Sequence, residues 1–160
     1  MNKPLLLFGY GNPSRGDDAL GALVLEFVQH HINLSGLELL TDFQLQVEHA
    51  LDLQNRQLVL FVDAAVNSGK PFNFSELKAE KDNSYTSHAV SPASVLSVYE
   101  TVINLPPPPS FMLSLQGANF ELGEGLSTIA ASNLNLACRF IRQLFDQPAA
   151  TAWRQKINAD

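Results

Sequence analysis

The feature that most constrains the fold is the N-terminal segment Leu5–Gly21, with the sequence LLLFGYGNPSRGDDALG. A short apolar run over Leu5–Tyr10 leads into a glycine-rich turn, and apolar residues at helical spacing follow over Asp18–His31. A strand that turns through glycine into a helix is the unit from which parallel sheets are built. The opening of the chain therefore predicts an α/β protein.

Strand and helix patterns continue to alternate along the chain. Further strands are predicted at Leu37–Thr41, Leu58–Asp63, Phe72–Leu77 and Phe111–Leu115, and further helices at Gln46–Gln54, Pro92–Val102 and Ser127–Phe145. Apolar and polar residues alternate in the strand that begins at Phe72, as is typical of an edge strand. We predict a three-layer α/β sandwich, in which a twisted, mostly parallel five-stranded sheet has one antiparallel edge strand and helices on both faces.

No repeat or linker divides the sequence. We expect one domain over residues 1–147, long enough to bury roughly two thirds of its unfolded surface, and a C-terminal tail over residues 148–160. The sequence leaves open whether this tail frays or whether Trp153 packs it against the body. The PPPP stretch at 106–109 is interpreted as a stiff connector rather than as a ligand for a partner.

Charge and cysteine content exclude several classes of function. The formal net charge is −6 and no Lys or Arg cluster is present, which argues against a nucleic-acid partner. No apolar stretch is long enough to cross a bilayer, and the N-terminus does not resemble a signal peptide, so no membrane partner is expected. The single cysteine, Cys138, suits a cytoplasmic protein. Its helical spacing with Leu134 and Ile141 predicts a buried core thiol rather than a nucleophile.

Two adjacent aspartates follow the glycine turn, where a phosphate-binding loop would continue with Lys and then Ser or Thr. The pattern Gly11-x-x-x-x-Gly16 is instead followed by Asp17 and Asp18. Helix capping accounts for one acid, and the helix is predicted to be capped by Asp17. Two carboxylates at this helix end would repel a phosphate, so the site is better suited to bind a cation.

Asp63 and His88 are placed to join these carboxylates. Asp63 directly follows an apolar strand, and ligands gather at the carboxyl ends of strands in open α/β sheets. The alternative is an Asp63 that only bonds local backbone in a turn. His88 lies in the polar loop SYTSHAVSPASVL, on the same expected side of the sheet. Two carboxylates and one imidazole suit a divalent metal such as nickel or zinc.

The other three histidines are assigned no part in this site. His30 and His31 end a helix, where a cationic side chain suits the helix dipole. His49 lies beside Glu48 and is interpreted as a solvated residue of a short helix.

Three segments, GYGNPSRGDDALG, LVLFVDAA and SHAVSPASVL, together resemble the nickel–iron hydrogenase maturation proteases. The resemblance runs from about residue 5 to residue 145 and includes GANFELGEGLS before the last helix. It implies a twisted sheet between helices and an endopeptidase that removes the C-terminal extension of the hydrogenase large-subunit precursor after nickel insertion. It also implies that Asp18, Asp63 and His88 are the catalytic and nickel-binding residues, with the nickel carried by the substrate.

One turn departs from the pattern of family members that serve uptake hydrogenases. Those proteins tend to carry an Asp-Gly-Gly-Thr-like turn after the second strand, whereas this chain has Asp42-Phe43-Gln44-Leu45. This looks like the branch that serves soluble, bidirectional NAD(P)-linked hydrogenases. We therefore predict a cytoplasmic, monomeric endopeptidase whose partner is the large-subunit precursor.

Two alternatives stay open. One is a small metallohydrolase that keeps its own resident metal and acts on peptides or amides. The other is a nonenzymatic module that binds a nucleotide or a partner through the glycine turn.

Overall fold

The structure, a computed structural model, describes residues 2–33, 35–81 and 90–157. The strands are β1 (Leu5–Tyr10), β2 (Leu37–Asp42), β3 (Leu58–Ala65), β4 (Phe72–Glu76) and β5 (Ser110–Gln116). The α-helices are α1 (Leu20–His31), α2 (Pro92–Ile103), α3 (Thr128–Asp146) and α4 (Ala150–Arg154). Two 3₁₀ helices, Gly16–Ala19 and Val47–Leu53, lie after β1 and β2.

The five strands form one sheet in the order β2-β1-β3-β5-β4. The pairs β1–β2, β1–β3 and β3–β5 are parallel, and β4 pairs antiparallel with β5 at the edge. In the central register, Leu7 of β1 lies between Leu39 of β2 and Leu60 of β3. The predicted mostly parallel sheet with one antiparallel edge strand is confirmed.

Alternating side chains of the central strands enter two separate cores. Val62 of β3 joins a core with α1, α3 and α4, whereas its neighbour Phe61 joins one with α2 and the 3₁₀ helix Val47–Leu53. Because a strand has a side-chain period of two and both faces are covered, the strand sequence is apolar throughout. The molecule is therefore the predicted three-layer sandwich.

The first helix differs from its prediction at its start. The pattern predicted helix from Asp18, but residues 16–19 form a 3₁₀ turn and α1 begins at Leu20. The helix approaches β1 very closely, since a Cβ added at Gly21 would lie 2.7 Å from the carbonyl oxygen of Tyr10. The tighter turn brings α1 directly from the end of β1 onto the sheet. The second predicted helix, Gln46–Gln54, is likewise a 3₁₀ helix, over Val47–Leu53.

Trp153 packs the C-terminal segment against the body. The side chain is 1% exposed, and its ring lies 5.3 Å from the ring of Phe111 and 5.8 Å from that of Phe145, measured between centroids. The indole Nε1–H donates to the carbonyl of Leu144 at 2.8 Å. Cys138 is buried, as predicted, and burial raises the pKa of its thiol to about 11. Nowhere in the described ranges is a helix both long and apolar enough to cross a membrane.

Candidate functional site

The order of the strands places a crevice at the carboxyl ends of β1 and β3. From β1 the chain passes through α1 to β2 on one side, and it then crosses to β3 on the other side. Open α/β sheets bind ligands where the strand order reverses in this way. The register aligns Gly9 of β1 with Val62 of β3. The turn that contains Asp18 and the side chain of Asp63 therefore share this edge of the sheet.

Asp63 lies near the end of β3, half-buried, on the strand face that also carries Phe61. Its Oδ1 accepts a hydrogen bond from the N–H of Ala64 at 2.7 Å. Burial raises the pKa of Asp63 to about 7. The Ala64 N–H lowers this pKa, the negative charge of Asp18 raises it, and a hydrogen bond from Tyr10 lowers it. Near neutral pH, Asp63 can therefore accept a proton or hold a cation.

Tyr10 is a neighbour of the site that the sequence did not single out. It is the last residue of β1, it is buried, and its hydroxyl hydrogen-bonds the carboxylate of Asp63. Burial, followed by the charge and the hydrogen bond of Asp63, raises the pKa of Tyr10 far above its ordinary value, so the hydroxyl stays protonated. Its position in the sequence could have identified it. Tyr10 ends β1, which lies beside the strand that carries Asp63, so its hydroxyl could be expected at the same edge of the sheet.

Asp18 closes the glycine turn with one carboxylate oxygen. Its Oδ2 accepts a hydrogen bond from the N–H of Asn12 at 2.6 Å. Among the described residues, no hydrogen-bond donor reaches its Oδ1. Because the charge of Asp18 raises the pKa of Asp63, the two carboxylates lie within electrostatic reach of each other. A cation between them would relieve this repulsion.

The prediction that Asp17 caps the following helix is wrong. Asp17 is 0% exposed and makes no capping hydrogen bond to α1 or to its own 3₁₀ turn. Its Oδ2 accepts from the N–H of Ala118 at 2.6 Å and from that of Asn119 at 2.9 Å. Its carboxylate also accepts from the N–H and the hydroxyl of Ser127, both at 2.7 Å. These donors lie 101 to 110 residues away in sequence, so no local pattern could reveal them.

The pKa of Asp17 reflects these bonds. Burial acts to raise it, but the hydrogen bonds from Ser127, Ala118 and Asn119 outweigh burial and hold the pKa below its ordinary value. Asp17 is therefore a permanently ionised group of the interior at neutral pH. Its bonds hold the loop that precedes α3, whose N-cap is Ser127.

The backbone donors of the glycine turn are all used within the protein. The N–H groups of residues 11–18 donate to Asp42, Asp18, Asn12 (twice), Glu124, Asn119 and Arg15, and Pro13 has none. A phosphate site at the start of a helix needs free N–H groups that point at the anion. Gly11 has a φ of +139°, and a Cβ there would collide with the backbone of Asp18. Glycine is therefore required at position 11 for close packing rather than for anion binding.

The predicted third ligand, His88, lies outside the described residues. Within residues 2–33, 35–81 and 90–157, no group of three or more His, Cys, Asp or Glu side chains could hold a metal. The pair Asp18 and Asp63 is therefore what the described part contributes to the predicted site.

His49 is not the solvated residue that the sequence suggested. Its side chain is 15% exposed, and its ring packs edge-on against Phe8 with the centroids 4.7 Å apart. Nδ1 accepts from the N–H of Gln46 at 2.8 Å, and Nε2 lies 3.1 Å from Oδ2 of Asp42. The turn after β2 folds back on the 3₁₀ helix, and this brings both partners to the ring.

Solved structures with the same fold cover nearly the whole chain. The hydrogenase maturating endopeptidase HybD from E. coli superposes with a TM-score of 0.70 at 21% identity, over 91% of this chain and 93% of HybD. A [NiFe] hydrogenase maturation protease, HycI from Thermococcus kodakarensis KOD1, superposes with a TM-score of 0.66 at 20% identity, over 91% and 94%. An endopeptidase from Escherichia coli gives 0.71 at 20% identity, over 93% and 95%.

No protein-family model matches the sequence, and no curated protein is similar enough in sequence to count as a match. The relationship therefore rests on the three-dimensional structure. The chain has the fold of the hydrogenase maturation proteases, as the resemblance of its sequence segments implied.

Proposed function

We propose that this protein is a cytoplasmic endopeptidase that removes the C-terminal extension of a nickel–iron hydrogenase large-subunit precursor after nickel insertion. Solved structures with this fold include proteins described as hydrogenase maturation endopeptidases. A shared fold does not by itself fix a function, so the site must carry the proposal. The observation that carries it is the pairing of Asp18 and Asp63 at the topological switch point, close enough that the charge of one raises the pKa of the other.

In the proposed reaction, Asp18 and Asp63 bind the nickel that the substrate carries, and His88 is the third ligand. Oxygen and imidazole nitrogen donors suit this metal. The Oδ1 of Asp18, which no donor among residues 2–33, 35–81 and 90–157 reaches, and the partly exposed carboxylate of Asp63 are the ligand atoms we assign to the metal. The bound substrate metal would position the scissile peptide and polarise its carbonyl or a water molecule.

The same pair gives a physical reason for selecting the nickel-loaded precursor. Two nearby carboxylates are stabilised in their ionised form by a cation and destabilised by each other without one. A precursor that lacks nickel brings no cation to this edge, so it gains nothing from Asp18 and Asp63. Processing should therefore follow nickel insertion rather than precede it.

The first experiment is the intact mass of a large-subunit precursor after incubation with this protein, with and without inserted nickel. Loss of a C-terminal peptide only from the nickel-loaded sample is the expected result. Uptake-type and soluble-type precursors should be run side by side, because the Asp42-Phe43-Gln44-Leu45 turn predicts the soluble type. Absence of cleavage in every sample would contradict the proposal.

Variants of the three ligands test the site itself. Asp18→Ala, Asp63→Ala and His88→Ala should fold normally and lose at least 100-fold in processing rate. Asp146→Ala, which removes an exposed carboxylate at the far end of α3, is the matched control and should process normally. Full activity of the ligand variants would show that the site is elsewhere.

The two alternative functions predict different outcomes. The metallohydrolase would be purified with stoichiometric metal in the absence of any precursor. The nucleotide-binding module would need backbone N–H groups that the glycine turn already uses internally. We expect a monomer with no resident metal, which size-exclusion chromatography and elemental analysis would test.

A further inference from the structure

Two loops at the carboxyl edge of the sheet are joined into one unit. The glycine turn (residues 11–19) follows β1, and the β5–α3 loop (residues 117–127) follows β5. The N–H of Asp17 donates to the carbonyl of Asn119 at 2.7 Å, and the N–H of Gly123 donates to the carbonyl of Ser14 at 2.8 Å. The N–H of Gly16 donates to the carbonyl of Glu124 at 3.2 Å. The bonds run in both directions, so each loop supplies donors to the other.

The side chain of Asp17 is the centre of this junction. Its four hydrogen bonds all come from the β5–α3 loop or from the N-cap of α3. Glycines make room for the contact. A Cβ at Gly117 would lie 2.7 Å from the Cβ of Asp17, and a Cβ at Gly16, where φ is +53°, would collide with the carbonyl of Asn119. The backbone of both loops is therefore shaped to enclose this carboxylate.

Asp18 depends on the same turn for its position. It is the next residue after Asp17 in a 3₁₀ helix of four residues, and its N–H donates to the carbonyl of Arg15 at 3.0 Å. A 3₁₀ helix this short has too few bonds of its own to be stable, so tertiary contacts must hold it. The contacts that anchor the turn on its buried side are those of Asp17.

We propose that Asp17 is a positioning residue for Asp18. By fixing the glycine turn to the β5–α3 loop, it sets the direction in which the Asp18 carboxylate faces the edge of the sheet. The proposal rests on the proposed function, because it assigns Asp18 to substrate binding. Asp17 itself is enclosed and touches no substrate.

The first test uses Asp17→Asn, which keeps the shape of the side chain. In either orientation its amide NH₂ faces at least one of the donors that Asp17 accepts, so the junction loses a bond and gains a repulsion. Amide hydrogen exchange should become at least 10-fold faster at Ala118, Asn119 and Ser127. The decisive position is Asn12, whose N–H is held by the Asp18 carboxylate, and it should lose protection to a similar degree.

The second test compares KM with kcat for a nickel-loaded precursor. A displaced Asp18 should raise KM at least 10-fold in Asp17→Asn. The control is Ile141→Ala, which creates a cavity in the core on α3 and lowers stability without touching either loop. A variant that is only less stable has fewer active molecules, which lowers the apparent kcat and leaves KM unchanged. Ile141→Ala should therefore leave both KM and the Asn12 protection as they are.

The outcomes separate this proposal from the proposed function. Unchanged Asn12 protection and unchanged KM, with faster exchange at Ala118 and Asn119, would overturn the positioning role and leave the protease proposal intact. If the wild-type protein cleaves no precursor, the proposed function fails. The exchange at Asn12 then decides by itself whether Asp17 positions Asp18.

Discussion

Asp17 and Asp63 are two carboxylates at the same edge of one sheet, and their surroundings shift their pKa values in opposite directions. Asp17 is completely enclosed, yet its pKa lies below the ordinary value. Asp63 keeps part of its surface exposed, yet burial raises its pKa to about 7. The exposed fraction of the side chain therefore does not set the order of the two pKa values.

Hydrogen bonds from the protein account for the lowered pKa of Asp17, whereas burial accounts for the raised pKa of Asp63. Asp17 receives four hydrogen bonds, and each of them stabilises the ionised form. Within the part of the chain that the structure describes, Asp63 receives bonds from Ala64 and Tyr10 and also faces the charge of Asp18. A carboxylate whose acceptor capacity is filled by the protein serves structure, whereas one left short of donors is ready to bind a cation.

The largest effect on stability is expected for Asp17→Asn. Loss of the charge and of at least one buried hydrogen bond should lower the free energy of unfolding at pH 7 by about 2 to 3 kcal/mol. Because the pKa of Asp17 is lowered in the folded state, its contribution is present above its ordinary value of 3.8 and is lost as the pH falls below it. Urea unfolding should therefore show the deficit at pH 7 and a smaller one at pH 3. An equal deficit at both values would contradict the role of the charge.

Asp63→Asn should raise the free energy of unfolding rather than lower it. The folded-state pKa of about 7 exceeds the ordinary 3.8, so the folded state holds the proton more tightly and stability falls as the pH rises between these values. The neutral variant avoids this loss. Urea unfolding should show it to be about 1 to 3 kcal/mol more stable than wild type at pH 8 and equally stable at pH 4. A variant less stable than wild type at pH 8 would mean that the Asp63 carboxylate is well satisfied.

Ser127→Ala tests the contribution of one hydrogen bond to Asp17. It removes the side-chain cap of α3, whose Oγ accepts from the N–H of Ala130 at 3.2 Å, and also one donor to Asp17. We expect a loss of about 1 to 2 kcal/mol in the free energy of unfolding. Ser91→Ala is the comparison variant, because Ser91 caps α2 through the N–H of Ser94 and its hydroxyl donates to the Ser94 hydroxyl instead of to a carboxylate. The bond to a carboxylate should make the loss larger in Ser127→Ala than in Ser91→Ala, and a smaller loss in Ser127→Ala would contradict this.

The smallest effect is expected for Tyr10→Phe. The change removes the hydroxyl that lowers the pKa of Asp63 and keeps the ring in its core. Titration of the Asp63 carboxyl carbon by NMR should show a pKa somewhat higher than in wild type. The pKa of Asp17, whose shift comes from Ser127, Ala118 and Asn119 besides burial, should stay the same. A lower pKa for Asp63 in the variant would contradict the assigned hydrogen bond.

The same contrast shows how far the sequence could lead. The position of Asp63 at the carboxyl edge of the sheet was predictable, because it follows the continuous apolar run that is typical of a buried parallel strand. The role of Asp17 was not, because its donors come from residues 118–127, more than 100 positions away in the sequence. Asp17 stands where a helix-capping aspartate is expected, but its side chain makes no capping hydrogen bond in the structure. His49 is a different case, because its partners Gln46 and Asp42 are local in sequence and only the fold of the turn after β2 brings them to the ring.

Trp153 has a consequence for how the protein folds during synthesis. Its indole ring fills the space between β4, β5 and α3. This core lies on the opposite face of the sheet from Tyr10 and Phe61. Domains generally fold as units while they emerge from the ribosome. The core between the sheet and α3 is complete only once Trp153 has emerged, long after β1 and the glycine turn are available. Until then the stacked rings of Phe74 and Phe111 lack the indole that covers them in the folded protein, so we expect the nascent chain to expose this apolar surface during that interval.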